Sequence, residues 1–280
     1  MIKVGSLQYG VIFKKAFSDL EIFKSVIDDF FDTDIQIEKV ESEKSFDSPI
    51  GSVDCRFDLY AEDSINRIVL DIQHVRYFDH YHRFLHYHCA ALLEQIKSSS
   101  DYSPVHRVCT LVVLTSGDKY KKDIGVIDFD PKTLNGIPFE EIPHKVIYVC
   151  PKYVNEKTPE PYRQWLLAIN DSLDEEVDET QYDRPEIKKI FHHIKRDDIT
   201  PKERAKMFDE YSLGLLENAA KKEGIEEGIQ KGKEEGKEEG VLLVAKKLIF
   251  AKQLSIEEIA EVTGMQVDKI KKLALDETPG

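Results

Sequence analysis

The chain has 280 residues, a formal net charge of -14, 41% hydrophobic residues and 10% aromatics. That is enough apolar material for one sizeable core with an appendage. The acidic balance excludes a protein that coats nucleic acid through bulk charge, so any DNA contact is local and metal-assisted, with ligating carboxylates beside a basic groove.

From the N-terminus, Val11, Ile12, Phe13, Phe17, Leu20, Phe23, Ile27, Phe30 and Phe31 approximate a helical stripe, which Ser18-Asp19 divides into two helices. Residues 36–44 alternate enough for an exposed, edge-like strand. Residues 53–61 and 67–75 are stronger strands, joined by the polar turn Glu62 to Asn66, and read as a hairpin. A long helix is expected over 79–98. The continuous apolar run 107–115 is that of a strand buried on both faces, and a short strand follows at 145–149. This is an α/β order, with helices packed on a small mixed sheet.

Past residue 159 the pattern becomes helical and polar. Pro185 and Pro201 each stand where a helix starts, with Thr200 as N-cap before Pro201. The tract 221–240 carries glycine at 224, 228, 232, 236 and 240. In a helix these glycines cost about 4–5 kcal/mol against alanine, and only Ile225 and Ile229 are there to bury in return. The tract therefore reads as a solvated tether, a glycine-zipper helix being the alternative. Residues 241–275 regain periodicity as three short helices. Ser255 and Glu258 form a capping box, and Gly264 makes the turn before the last helix, a helix-turn-helix-like pattern. The chain is thus divided into a domain over 1–175, a helical connector over 176–220, the tract 221–240 and a small helical segment over 241–280.

Cys55, Cys89, Cys109 and Cys150 are widely spaced and contain no CxxC pair, which excludes a zinc ribbon. They read as buried, unbridged thiols in a reducing compartment. No apolar run approaches the roughly 18–20 residues of a membrane span, and the N-terminus has no secretory pattern. A cytoplasmic location without membrane contact is expected.

The chemistry concentrates in the hairpin. In 67–75, Ile68, Leu70 and Ile72 share one face, while Val69, Asp71 and Gln73 share the other. In the partner strand Arg56, Asp58 and Tyr60 share a face, opposite Phe57 and Leu59. Closing the hairpin near 63–65 brings Asp58 and Asp71 onto one surface. Two carboxylates so placed repel, and one pKa rises unless a cation sits between them. Mg²⁺ suits such a site, taking one or two protein carboxylates with water and phosphate oxygens. Solvated acids on an outer strand face are the competing reading.

The stretch FDLYAEDSINRIVLDIQHVRYFDHYHRFLHYHCAALLEQI resembles the heart of the PD-(D/E)XK nuclease family of the recombination-promoting nuclease and transposase type. That family places an Asp on one strand, an acidic-x-Gln on the next, then a helix with Arg and Tyr four residues apart. The matching positions are Asp58, Asp71-Ile72-Gln73, Arg83 and Tyr87. YSPVHRVCTLVVLT and the glycine-rich tail are also similar to the family's.

The resemblance implies a restriction-endonuclease-like α/β core, a small mixed sheet flanked by helices, with an α-helical C-terminal extension. It also implies Mg²⁺- or Mn²⁺-dependent cleavage of DNA. Asp58, Asp71 and Gln73 form the implied catalytic centre, with metal held by Asp58, Asp71 and the Ile72 backbone carbonyl. Arg83 contacts substrate phosphate or forms a surface ion pair, and Tyr87 packs. Gln73 stands where more distant relatives place lysine, and an amide supplies no positive charge.

Two positions depart from the pattern. Gly10 stands where the family has an Asp three residues before Phe13-Lys14, and Asp71 stands where Glu is usual. Glu21 is a candidate to replace the first. An inactive relative that binds DNA or protein is therefore the alternative, as is self-association through the C-terminal helices into a homo-oligomer. Lys269, Lys271 and Lys272 give the last helix few phosphate contacts for a DNA reader. His82 and His86 have the i, i+4 spacing of zinc ligands, but no Glu follows His82, and packing and surface polarity account for the histidines better.

Overall fold

The computed structural model describes residues 1–46, 55–74, 80–96 and 102–276. The chain divides into two compact units, Met1–Ser212 and Leu213–Gly280.

The first unit begins with β1 (Ile2–Lys3), which pairs with β8 (Glu176–Val177) in a two-stranded sheet. The aromatic stripe forms α1 (Gly10–Phe17) and α2 (Leu20–Phe31), broken at Ser18-Asp19 as expected. Asp19 caps α2 by accepting from the Glu21 and Ile22 amides, which satisfies two donors left open at a helix start. The main sheet has six strands: β2 (Glu41–Phe46), β3 (Cys55–Glu62), β4 (Asn66–Gln73), β5 (Arg107–Leu114), β6 (Ile124–Asp128) and β7 (Lys145–Val149). Their spatial order is β2-β3-β4-β5-β7-β6. The β4–β5 and β5–β7 pairs are parallel and the others antiparallel.

Strands β4, β5 and β7 lie in the middle of the sheet and are buried along almost their whole length, which is why β5 and β7 are nearly continuous apolar runs. One face of the sheet packs Leu59, Ile68, Leu70, Leu111 and Val113 against α1, α2, α4 (Tyr162–Asp171) and α5 (Pro185–His193). The other packs Phe57, Tyr60, Val69, Val112 and Tyr148 against α3 (His80–Leu93). Ile187, Ile190, Phe191, Ile194 and Ile199 belong to the first core, so that core continues past residue 175.

Several sequence expectations shift. The edge strand runs over 41–46 rather than 36–44. Residues 53–54, 75, 79 and 97–98 of the predicted elements lie outside the described residues. The glycine-rich tract is helical: α6 runs without interruption over Pro201–Ala251 and absorbs the first of the three short helices expected after 240. Thr200 and Glu203 form a reciprocal cap at its start. Lys222–Glu226 and Lys231–Glu235 pair at i, i+4 along it. Such pairs contribute about 0.2–0.5 kcal/mol each, a small part of the glycine cost.

In the second unit α7 (Ile256–Thr263) carries the expected Ser255–Glu258 capping box. Gly264, at φ 69°, turns the chain into α8 (Val267–Asp276). Ala245, Ile259, Ala260 and Ile270 form its small core. Among the described residues no helix is long and apolar enough to cross a membrane.

A paired-carboxylate site where two strands part

Among the described residues the β3–β4 ladder runs from Glu62↔Arg67 to Leu59↔Leu70 and goes no further. Beyond that point side chains take over from backbone pairing. The Asp58 amide donates to Asp71 Oδ1 at 2.8 Å, and the Ile72 amide donates to Asp58 Oδ2 at 3.1 Å. Each aspartate thus holds the other's strand, and the two carboxylates stand side by side at the fork. Ile68, Leu70 and Ile72 face one core and Val69 the other, so Asp71 and Gln73 share the α3-side face, as alternation predicts.

Alternation fails on β3. Phe57 packs with Tyr60, while Leu59 lies in the opposite core. The strand switches face at Asp58, opposite Glu43, which interrupts the β2–β3 register and has a left-handed backbone at φ 57°. The face-sharing expected for Arg56, Asp58 and Tyr60 is corrected accordingly.

The site's electrostatics follow from burial. Asp71 is 2% exposed, and its Oδ2 has no hydrogen-bond partner among the described residues. Burial, then the charge of Asp58, holds its proton well above the ordinary carboxylate range. The hydrogen bond from the Asp58 amide, then the charges of Arg83 and Lys14, act in the opposite direction. Arg83 lies on α3 with its Nε donating to the Tyr87 hydroxyl at 3.2 Å. Tyr87 is buried edge-on to Phe57 and Phe84, a packing role.

Two side chains that the sequence did not point to join the site. Lys14, on α1, places Nζ 3.2 Å from Asp58 Oδ1 and also donates to Glu43 Oε1. Burial pulls its pKa down, but Asp58 and Glu43 more than offset that, leaving it raised. Glu210 accepts from the Gly10 amide at 2.8 Å and the Val11 amide at 3.3 Å, closing the α1 N-terminus, where Tyr9 supplies no side-chain cap. A Cβ on Gly10 would lie 3.7 and 3.8 Å from the Glu210 carboxylate oxygens and 3.8 Å from Lys14 Nζ. A carboxylate therefore stands beside Gly10 although the residue has no side chain. Glu21 is directed elsewhere, to Lys189. The local signals for Lys14 are the Phe13-Lys14 pair of the family pattern and the phase of α1, which puts it one turn after Gly10. Glu210, 200 residues away, leaves none.

His82 and His86 are exposed on α3, while His88 is buried and stacked on Phe129. Among the described residues no three His, Cys, Asp or Glu side chains group as a metal-holding set. A divalent cation here would rest on two carboxylates, within the range Mg²⁺ accepts. The buried Asp71 Oδ2, which has no partner among the described residues, fits such an ion, which would relieve the charge conflict with Asp58.

A mixed sheet flanked by helices, with paired acids where two central strands part, defines a restriction-endonuclease-like α/β fold. Residues 10–213 match the family model described as PD-(D/E)XK nuclease family transposase, and the chain belongs to that family. Nucleases of this kind generally use divalent metal ions. Neither the curated proteins nor the solved structures contain a match.

Proposed function

We propose that the chain is a metal-dependent DNA endonuclease that hydrolyses phosphodiester bonds, in recombination or mobile-element biology. Asp58 and Asp71, joined by the Ile72 backbone carbonyl, would hold Mg²⁺ or Mn²⁺. Such an ion would supply Lewis-acid polarisation of the scissile phosphate and a lowered pKa for a bound water. Gln73, two residues along the same face, orients that water through its amide. Arg83 contacts a substrate phosphate, a role to which its forked guanidinium is suited. Membership of a nuclease family supports the substrate class.

The observation that carries the reading is the mutual stitching of Asp58 and Asp71, with one buried carboxylate oxygen that has no partner among the described residues. Burial and the neighbouring Asp58 make the ionised form of Asp71 costly, and a shared cation offsets that cost. Incubating supercoiled plasmid with the protein tests this. Nicked and linear products are expected in Mg²⁺ or Mn²⁺ and not in EDTA. Equal product in EDTA removes the metal-dependent assignment.

A second reading, an inactive relative acting as a binding module, is favoured by Gly10 and by the lack of a third grouped ligand among the described residues. It predicts DNA retention without strand cleavage in the same assay.

A further inference from the structure

Gln73 brings hydrogen bonds to the site but no charge. A cation reaches the carboxylates from a different element. Lys14 extends from α1 with Nζ 3.2 Å from Asp58 Oδ1, and its side chain is only 21% exposed, so the ammonium is presented at a defined place. Glu43 grips the same ammonium. Glu43 itself keeps a left-handed backbone, a conformation that persists only where its surroundings enforce it, and its other carboxylate oxygen lies 3.5 Å from Arg56 Nε. This arrangement makes an aimed cation beside a pair of acids rather than a loose surface pair.

We propose that Lys14 is the cationic catalytic residue of this site, its ammonium contacting a non-bridging oxygen of the scissile phosphate, with Glu43 as the residue that positions it. The inference rests on the hydrolytic reading above. In that reaction a water oxygen forms a bond to phosphorus and the bond from phosphorus to the leaving sugar oxygen breaks. The water's proton passes to solvent, and the leaving oxygen takes a proton from water. Negative charge builds on the non-bridging oxygens as the water attacks. A preorganised ammonium stabilises that charge without being consumed.

The test compares wild type, Lys14→Gln, the double variant Lys14→Gln/Gln73→Lys, and Asp71→Asn. For each, kcat and KM on an oligonucleotide duplex in Mn²⁺, the Mn²⁺ dissociation constant by calorimetry, and Tm are measured. Lys14→Gln is expected to lower kcat by about 10²–10³-fold, the loss typical of one oxyanion-stabilising donor. Its Mn²⁺ binding should stay equal or tighten, because a positive charge beside Asp58 has been removed. The double variant, with an ammonium restored on β4, should recover about tenfold or more of the lost kcat.

Wild-type kcat in Lys14→Gln overturns the proposal. So does a fall in kcat matched by weaker Mn²⁺ binding or a lower Tm and not rescued by Gln73→Lys, which would make Lys14 structural. If wild type cuts no faster than Asp71→Asn, the hydrolytic reading fails first and the role of Lys14 falls with it.

Discussion

Asp71→Asn is expected to lower the Mn²⁺-dependent cleavage rate by about 10³-fold or more. The ion's contribution to phosphoryl chemistry is several kcal/mol, and about 4 kcal/mol corresponds to roughly 10³ in rate. Asparagine keeps an oxygen to accept from the Asp58 amide, now at 2.8 Å, so the strand fork is retained while the charge is lost. The stability response runs the opposite way. Burial and Asp58 raise the Asp71 pKa, so the folded chain binds a proton more readily than the unfolded chain does. Metal-free stability therefore falls as pH rises through the folded pKa, and a neutral amide removes that penalty. Thermal denaturation in EDTA at pH 8 should show Asp71→Asn at least as stable as wild type. A large drop in Tm would assign the lost activity to misfolding.

The second large effect is acid destabilisation through His88. Its ring stacks on Phe129 at 5.0 Å, meets His144 edge-on, and shares a 2.9 Å hydrogen bond with Thr110. Nε2 has no partner among the described residues, so nothing accepts from a second N–H. Burial, followed by His144, pushes the pKa down to about 3 from an ordinary 6.5. Between those values the unfolded chain holds a proton that the folded chain refuses, so stability is lost as pH falls. The loss attributable to His88 reaches about 2 kcal/mol by pH 5. His74 and His144, also pushed down by burial, act in the same direction. Urea unfolding of His88→Gln between pH 7.5 and 5 should therefore give a curve shallower than wild type by about that amount. Parallel curves would show that His88 is already protonated in the fold.

What the sequence revealed depended on how far each interaction reaches along the chain. Asp71 and Gln73 were assigned to one face because β4 is a regular strand whose period of two holds throughout. The same rule misplaced the Asp58 neighbourhood, because the face switch depends on the backbone of Glu43 in another strand. Lys14 and Glu210 reach the site through tertiary packing across 44 and 200 residues, so the Phe13-Lys14 pair could mark the helix position but not its contact with Asp58. Strand β6 escaped notice because IGVID is short, half-buried and at a sheet edge, with no clean alternation. Propensity alone makes the glycine tract a tether, whereas the structure continues α6 through all five glycines.

The central claim is that the carboxylates of Asp58 and Asp71 share one divalent cation. A crystal soaked in Mn²⁺ and measured at an anomalous wavelength tests it most directly. A single strong peak ligated by both aspartates, with Asp71 Oδ2 among the ligands, is the predicted result. Density elsewhere, or an unaltered Asp58–Lys14 pair with no peak at the fork of β3 and β4, would contradict it.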